Sequence, residues 1–310
     1  MKKPLVSIVI PSKNEENNIG NCLESIKRQT YPANRIETIV VVNEDSVDKT
    51  KEIARKYTKN VFIKGVERSE PRNLGLKKAT GKYLIYLDAD MIISSSVVEK
   101  SVEKLEKEKI VALYVPEVVL GNSYWSRVRR FERSFYDGTV IDCVRIIKKN
   151  IYDKTGGFDI SLIGPEDWDL DKKVRKIGEV GVPDRYDFKE IDDKLMKINY
   201  QKNDLVGQLI QLSSSALIYH NERKFNLKKY LLKKSYYAKS INVYINKWGK
   251  DDPDIKKQFG FWYRYLGVFL ENEKWKKLLK YPYLVLGMFF LRFLVGLSFL
   301  LGGKYFKSKI

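Results

Sequence analysis

The fold class is decided first by residues 5–26, LVSIVIPSKNEENNIGNCLESI. Residues 5–10 form a continuous apolar run followed by turn residues, a pattern that predicts a strand buried on both faces. Apolar side chains at helical spacing come next and predict a helix: Ile19, Cys22, Leu23 and Ile26. A buried strand followed by a helix is the repeating unit of an α/β domain.

This alternation of strand and helix continues to residue 115. Further strands are predicted at four places: 36–42, 61–63, 83–87 and 110–115. Helical stretches separate them, and this order is typical of a mostly parallel sheet. Ligands of such sheets bind beyond the carboxyl ends of the strands. The segments that follow the strands are therefore where functional residues are expected.

Charge and composition narrow the class of protein. The chain carries 58 Lys and Arg against 39 Asp and Glu, a formal net charge of +19. Its two cysteines, Cys22 and Cys143, exclude a disulfide scaffold, and its single histidine, His220, excludes a metal site with several histidines. Residues 221–310 hold 20 Lys and Arg against 6 Asp and Glu, a net of +14. This basic part predicts an anionic partner, either nucleic acid or an acidic membrane surface.

The sequence changes in character after His220, which predicts a catalytic domain over 1–222 and a membrane-associated part over 223–310. A basic amphipathic stretch rich in tyrosine covers 227–244, and such a helix suits a membrane interface. Residues 281–303 then form a run of 23 residues whose only charge is Arg292. That length can span a bilayer of about 30 Å. The alternative for this run is a helix buried within the protein.

Two acidic residues follow the strand at 83–87, in the segment Asp88-Ala89-Asp90. Residues two apart in a strand point to the same face, so both carboxylates are expected at the ligand edge of the sheet. A cation relieves their repulsion, and carboxylate oxygens suit Mg²⁺ or Mn²⁺, whose usual task is to neutralise a diphosphate. The alternative is a solvated acidic turn without a ligand.

A second acidic segment, GPEDWD at residues 164–169, begins a helix. Either Glu166 or Asp167 is a candidate general base, and at most one faces a pocket fully because successive helical residues differ in direction by about 100°. The alternative is ordinary stabilisation of the helix start by Pro165 and the nearby acids. His220 follows an apolar strand and is either a structural hydrogen-bonding residue or a third metal ligand.

Four segments together resemble the inverting family 2 glycosyltransferases, which have the GT-A fold. They occur in the order of that family and cover about residues 4–220: VSIVIPSKNEENNIGNCLESIKRQTYP (6–32), IVVVNEDSVDKT (39–50), EPRNLGLKKATGKYLIYLDADM (70–91) and GGFDISLIGPEDWDL (156–170). The resemblance implies a GT-A-type doubly wound sheet, a nucleotide-sugar donor and a divalent metal, Mn²⁺ or Mg²⁺.

The same resemblance implies roles for individual residues. Asp167 matches the catalytic base, and Asp88 is expected near the ribose of the donor. Asp90 is expected on the metal, with His220 completing the site. The other matching positions are expected to bind the nucleotide-sugar: Pro11, Lys13, Glu15, Glu44, Arg72, Glu166 and Trp168.

These features predict an enzyme that transfers a single sugar from a UDP- or GDP-sugar to a hydroxyl group of a lipid-linked saccharide. The Gln-x-x-Arg-Trp motif of processive synthases is absent from the sequence, which favours single transfer. The C-terminal part is expected to hold the enzyme at the cytoplasmic side of the cell membrane, without a nucleic-acid partner. Three alternatives are a polyprenyl-phosphate sugar synthase, a sugar nucleotidyltransferase, and a non-enzymatic basic protein that binds membranes or nucleic acid.

Overall fold

The computed structural model describes residues 5–65, 67–201, 204–223, 225–237 and 240–305, with side chains up to residue 298. The strands are β1 Val6–Ser12, β2 Ile36–Val42, β3 Val61–Ile63, β4 Tyr83–Tyr86, β5 Met91–Ile93, β6 Ala112–Leu113, β7 Glu117–Val119, β8 Ile146–Lys148, β9 Val180–Gly181 and β10 Ile218–His220.

The helices before residue 221 are α1 Ile19–Lys27, α2 Thr50–Arg55, α3 Ser69–Lys78, α4 Val97–Lys107, α5 Tyr124–Arg133, α6 Lys149–Thr155, α7 Glu166–Arg175, α8 Phe188–Met196 and α9 Leu205–Ile210. Those after it are α10 Leu227–Tyr237, α11 Ile241–Trp248, α12 Pro253–Phe259, a π-helix at Tyr263–Gly267, α13 Val268–Leu270, α14 Lys276–Lys280 and α15 Pro282–Tyr305.

A seven-stranded sheet in the order β3-β2-β1-β4-β8-β6-β9 forms the centre of the fold. β1 pairs in parallel with β2 and β4, and β2 pairs in parallel with β3, whereas β8 is antiparallel to its neighbours β4 and β6. A second sheet has the order β5-β10-β7. The predicted α/β fold with a mostly parallel sheet is confirmed.

Both faces of β1 are buried, because helices cover the sheet on each side. Val6, Ile8 and Ile10 point to one side and join a core with α1 and α4. Val9 points to the other side and joins a core with α3 and α7. This two-sided burial is the physical reason for the unbroken apolar run of β1.

The strand predicted at 110–115 is shorter in the structure. β6 covers only Ala112–Leu113, and the chain then enters the second sheet as β7, Glu117–Val119. Pro116 lies between the two strands and has no N–H to donate to a ladder. Its carbonyl instead accepts a hydrogen bond from the backbone of Ile218, at the start of β10.

The C-terminal helices pack against α5. One apolar cluster joins both parts of the chain and includes Val128, Phe131, Phe135, Val268, Phe269, Leu284, Met288 and Leu291. Arg292 is buried beside it, where its Nε lies 3.1 Å from Glu132 Oε1 and its Nη2 lies 3.0 Å from Tyr136 Oη. The long helix α15 therefore has a protein-facing side with its own ion pair.

Within the described residues, no helix has both the length and the hydropathy that crossing a membrane requires. The spanning segment expected at 281–303 is not found there, and residues 306–310 of the predicted membrane-associated part lie outside the described residues. The boundary predicted between residues 222 and 223 stays a prediction.

Candidate active site

The Asp88-Ala89-Asp90 segment forms a tight turn at the carboxyl end of β4. The backbone N–H of Leu87 still bonds to Val9 of β1, at 3.0 Å, and the N–H of Met91 bonds back to the carbonyl of Asp88, also at 3.0 Å. The turn connects the large sheet to β5 of the small sheet. Both aspartate side chains keep about a quarter of their surface open, 30% for Asp88 and 27% for Asp90.

Arg72 joins this turn to the second acidic segment. Its Nη2 lies 2.7 Å from Asp88 Oδ1, and its Nη1 lies 3.0 Å from Asp167 Oδ1. Its guanidinium is fully buried and rests over the rings of Tyr86 and Phe158, at 5.5 and 5.1 Å from their centres. The buried arginine thus fixes the positions of two carboxylates that come from distant parts of the chain.

The carboxylates around Arg72 have different environments. Burial alone would raise the pKa of Asp88, but the guanidinium of Arg72, followed by Arg145 and Arg68, lowers it well below the usual range. Burial and the neighbouring Asp167 raise the pKa of Glu166. The side chain of Glu166 is 1% exposed and that of Asp167 is 21% exposed. Only Asp167 of this pair is therefore open to a substrate.

The loop before α7 is held by the C-terminal helices. Gly164 has a φ of +109°, and a Cβ added there would lie 2.6 Å from the Cβ of Tyr237, so only glycine fits against α10. Ser240 exchanges hydrogen bonds with Ile163, each 2.8 Å long. Lys247 pairs with Asp159 at 2.6 Å. The orientation of α7, and with it that of Asp167, thus depends on residues after position 226.

Trp168 lies apart from the cluster around Arg72. Its Nε1 donates to the carbonyl of Ile141 at 3.0 Å, and its ring packs against Tyr244 and Phe259. These contacts connect α7 to α11 and α12. Its predicted role in donor binding stays a prediction, whereas its contacts in the structure are those of a packing residue.

Asp90 and His220 form the second pair that the sequence predicts. β10 is antiparallel to β5, and this register brings His220 Nε2 to 3.0 Å from Asp90 Oδ2. The other ring nitrogen, Nδ1, lies 3.7 Å from Glu222 Oε1 and has no hydrogen-bond partner among the described residues. Burial would lower the pKa of His220, but Asp90, followed by Glu222 and Glu117, raises it to about 9.

The loop after β1 approaches the two aspartates. Burial raises the pKa of Glu15 to about 6, against the lowering effect of Asn18, and the carboxylates of Asp90 and Asp88 add to the rise. Glu15 Oε2 accepts a hydrogen bond from Asn18 Nδ2 at 2.7 Å. Pro11 is buried within β1, opposite Val41 of β2.

Two further predicted donor-binding residues lie around the second strand. Lys13 Nζ lies 3.1 Å from Asp45 Oδ2, and both side chains are exposed. Glu44 Oε1 accepts a hydrogen bond from the backbone N–H of Gly65 at 3.0 Å, so one of its oxygens holds the loop after β3. Lys13, Glu15 and Glu44 therefore belong to the loops at the strand ends, as the fold class requires.

The described residues contain no group of three or more His, Cys, Asp or Glu arranged to hold a metal. Asp90 and His220 nevertheless supply an adjacent oxygen and nitrogen, 3.0 Å apart, and a metal bound there would displace the ring proton that Asp90 otherwise stabilises. Mg²⁺ and similar ions commonly use one or two protein ligands and complete their shell with water and substrate phosphates. The pair therefore fits a divalent metal that binds together with a diphosphate.

Several residues of the site were not identified from the sequence. Arg68 lies 3.7 Å from Glu166 and donates to Tyr237 Oη at 2.8 Å. Glu222 joins His220 to Arg129, whose Nε lies 3.2 Å from it. No local pattern marks these residues, and the one available signal was the proximity of Arg68 to the matching segment at 70–91.

The mostly parallel sheet gives the chain an α/β fold of the GT-A type, and two of the solved structures that superpose on it illustrate the likeness. The TarS 1–349 structure of S. aureus superposes with a TM-score of 0.54 and 14% identity over 96% of this chain and 80% of that one. The mannosyltransferase PcManGT of Pyrobaculum calidifontis, in complex with GDP-Man and Mn²⁺, superposes with a TM-score of 0.54 and 16% identity over 96% of this chain and 74% of that one.

Sequence comparison agrees with the fold. Residues 7–160 match the model of glycosyl transferase family 2. Glycosyltransferase AglE of Haloferax volcanii is 35% identical over 109 residues, which is 33% of this chain and 36% of that protein. The chain therefore spans only about a third of the length of this curated relative. Residues 7–160 thus form a glycosyl transferase family 2 domain, which confirms the predicted family resemblance and the GT-A-type fold. The inverting and single-transfer character stays a prediction.

Proposed function

We propose that the protein transfers a single sugar from a nucleotide-sugar to a hydroxyl group of a lipid-linked saccharide, with inversion at the anomeric carbon. The observation that carries the proposal is the bridge from Asp88 through Arg72 to Asp167, with distances of 2.7 and 3.0 Å. The nucleotide-sugar is expected to bind at the end of β4, where Asp88 lies. The bridge connects this strand end with the partly exposed carboxylate of Asp167, which can accept a proton. Family membership supports the same reaction class.

Asp167 is the general base of this reaction, because Glu166 beside it is almost fully buried. The acceptor oxygen forms a bond to the anomeric carbon as its proton passes to the carboxylate of Asp167. The bond between that carbon and the nucleoside diphosphate breaks in the same step. A single displacement of this kind inverts the configuration of the sugar.

Arg72, Lys13 and Glu15 surround the expected place of the nucleoside diphosphate. In the described part of the chain, the buried Nε of Arg72 has no hydrogen-bond partner, so its guanidinium keeps one donor unused. Asp90 and His220 would hold Mn²⁺ or Mg²⁺, which supplies neutralisation of the charge on the leaving diphosphate when bound. The mannosyltransferase PcManGT, which shares the fold, is solved in complex with GDP-Man and Mn²⁺, and this supports the use of a divalent metal.

The acceptor is assigned from the chemistry of the base and the surface of the C-terminal part. A polyprenyl phosphate has an oxygen that is already anionic and needs no base, so the presence of Asp167 favours a hydroxyl group. The net charge of +14 over residues 221–310 supports binding at an anionic membrane surface. Phe261 and Trp262, 62% and 73% exposed, supply aromatic side chains suited to the lipid interface. We propose that the enzyme acts at the cytoplasmic side of the cell membrane.

A thermal-shift screen of the full chain with UDP and GDP, each with and without Mn²⁺, tests the donor. One nucleotide is expected to raise the melting temperature in the presence of Mn²⁺ and to do so much less in EDTA. The anomeric configuration of the product, measured by NMR after turnover of the matching sugar donor, tests inversion. No shift with either nucleotide, or a product with retained configuration, would contradict the proposal.

A further inference from the structure

A cluster of cations lies between α5, α10 and the π-helix, next to the proposed active site. Its members are Arg129 of α5, Lys234 of α10 and Arg264 of the π-helix, and Lys234 interacts electrostatically with the other two. The cations Arg129 and Lys234 lie 4.8 and 5.3 Å from the centre of the ring of Tyr230. Two of the three cations thus share the ring of Tyr230, and the third, Arg264, lies 5.7 Å from the centre of the ring of Tyr136, the residue whose Oη contacts Glu132.

The charges of this cluster are only partly neutralised. Arg129 pairs with Glu132 and also with Glu222, the latter at 3.2 Å. Glu132 is shared with Arg292, at 3.1 Å.

In contrast, neither Lys234 nor Arg264 has a carboxylate within ion-pair distance among the residues that the structure describes. The Nη1 of Arg264 is buried and has no hydrogen-bond partner within that same part of the chain. Burial, followed by the nearby guanidinium of Arg129, lowers the pKa of Lys234 to about 7. Holding two unpaired cations together is costly unless an anion binds between them.

The position of the cluster relates it to the reaction. Glu222 lies between Arg129 and His220, 3.2 Å from the first and 3.7 Å from the second. Lys233, the residue before Lys234, interacts electrostatically with Glu15 of the loop after β1. One side of the cluster therefore adjoins the candidate metal ligands.

The π-helix that carries Arg264 also carries an exposed apolar surface. Phe261 stacks on Tyr265 of the π-helix with ring centres 4.5 Å apart. Trp262 and Leu266 beside them are 73% and 53% exposed. A ligand that fits both features has an anionic group followed by an apolar chain.

We propose that Lys234 and Arg264 bind the phosphate or diphosphate group of the acceptor lipid, whose hydrocarbon chain lies along the surface of Phe261, Trp262 and Leu266. The inference rests on the proposed function in that the ligand is taken to be the acceptor. The phosphate chemistry alone would also suit a free phosphate. The adjoining exposed aromatic surface favours the lipid, because a free phosphate would leave that surface uncovered.

The test measures binding of three probes to the full chain by titration calorimetry in EDTA: farnesyl diphosphate, inorganic diphosphate and farnesol. The variants are Lys234→Met and Arg264→Met, and the matched control is Lys229→Met, an exposed lysine on the same helix. Farnesyl diphosphate is expected to bind the wild type and the control equally. It is expected to bind each of the other two variants roughly tenfold or more weakly, because each lacks a charged hydrogen-bond donor.

Each other outcome contradicts part of the inference. Equal affinity of farnesyl diphosphate for the wild type and both variants would overturn the anion site. Inorganic diphosphate that binds as tightly as farnesyl diphosphate would indicate a free-phosphate site and overturn the lipid assignment, and so would farnesol that binds equally well.

Two controls show whether a loss of lipid binding has another cause, namely unfolding of the variant or loss of nucleotide binding. Lys234→Met and Arg264→Met should melt no lower than the wild type, because methionine removes an unpaired cation, so lost binding cannot be ascribed to unfolding. Binding of UDP or GDP with Mn²⁺ should be unchanged in both variants. A wild type that binds neither nucleotide would reject the proposed function, whereas the probe series still decides the anion site.

Discussion

Arg72 and Asp167 form an ion pair at 3.0 Å although they lie 95 positions apart in the chain. The guanidinium is completely buried, whereas the carboxylate is partly exposed to solvent. The buried arginine therefore holds the exposed carboxylate of Asp167 in one position. The same guanidinium also donates a hydrogen bond to Asp88, the residue expected near the ribose of the nucleotide-sugar. Changes at Arg72 should therefore affect both binding and turnover.

The first prediction concerns the base. Asp167→Asn is nearly isosteric and should keep the affinity for the nucleoside diphosphate, while turnover should fall about 10²-fold or more because the amide cannot accept the proton. Steady-state kinetics together with nucleotide titrations measure the two effects separately. The matched variant Glu166→Gln changes a buried neighbour that does not face the substrate. Normal turnover of Asp167→Asn with a defective Glu166→Gln would show that the wrong carboxylate was assigned.

The second prediction concerns Arg72 itself. Arg72→Met leaves Asp88 and Asp167 without their buried partner, and breaking such a pair costs about 3–5 kcal/mol of unfolding free energy. Arg72→Lys should recover part of the stability but little activity, because one ammonium cannot reproduce a fork that contacts two carboxylates. Denaturant unfolding and kinetics measure both. Arg55→Lys, at an exposed position of α2, is the control. Full activity of Arg72→Lys would exclude the bridging role.

The central part of this site could be predicted from the sequence, for a physical reason. Strands buried on both faces have unbroken apolar runs, so β1, β2 and β4 were recognisable, and side chains after parallel strands meet at one edge. That reasoning placed Asp88 and Asp90 at one edge of the sheet, and the resemblance to the family added Glu15. It could not show that Arg72 binds two carboxylates at once, because the contact depends on the packing of α3 against α7.

The C-terminal part shows where a local pattern is insufficient. Hydropathy alone does not distinguish a helix face that contacts lipid from one that contacts protein, so the run at 281–303 was assigned to the membrane. The structure gives part of that run a protein partner, since Arg292 bonds to Glu132, 160 positions earlier. The hydrogen bond between Arg68 and Tyr237 is also long-range, and no local sequence pattern predicts it.

The third prediction concerns the metal. Asp90→Asn should abolish the increase in nucleoside diphosphate affinity that Mn²⁺ produces, because a neutral amide is a much poorer ligand for a hard cation. Calorimetric titration of UDP or GDP with and without Mn²⁺ measures the increase. Asp45→Asn removes one carboxylate from an exposed pair with Lys13 and serves as the control. Unchanged turnover in EDTA would rule out the metal.

The fourth prediction concerns pH and Lys234. Its pKa is lowered to about 7 in the folded protein by burial and then by Arg129, with Arg264 acting in the same direction and Glu132 and Glu222 against it. Between about pH 7 and its unfolded pKa of about 10.4, the unfolded chain holds one more proton than the folded protein. The free energy of unfolding therefore rises with pH in this window, because the cost of burying a charged Lys234 is relieved as the lysine loses its proton. Below about pH 7 the full cost is present.

The variant Lys234→Met isolates this effect. Its melting temperature should exceed that of the wild type most clearly at pH 6, and the difference should shrink towards pH 10 as the wild-type lysine becomes neutral. Lys229→Met should show no such trend. A difference that stays constant between pH 6 and pH 10 would mean that Lys234 is exposed to solvent and has the usual pKa of a lysine.

The last prediction tests whether α15 docks on α5 as described. Gly287 faces α5 so closely that an added Cβ would lie 2.4 Å from Tyr124 Oη and 2.7 Å from Val128 Cγ2. Gly287→Val should therefore force the helices apart and lower the unfolding free energy by about 1–3 kcal/mol, the usual cost of overpacking. Gly296→Val is the matched control on the same helix, because its Cβ would meet only Tyr265 Oη, at 3.8 Å. Chemical unfolding of the full chain in detergent distinguishes the two. If both variants were equally stable, α15 would not be packed against α5 as described.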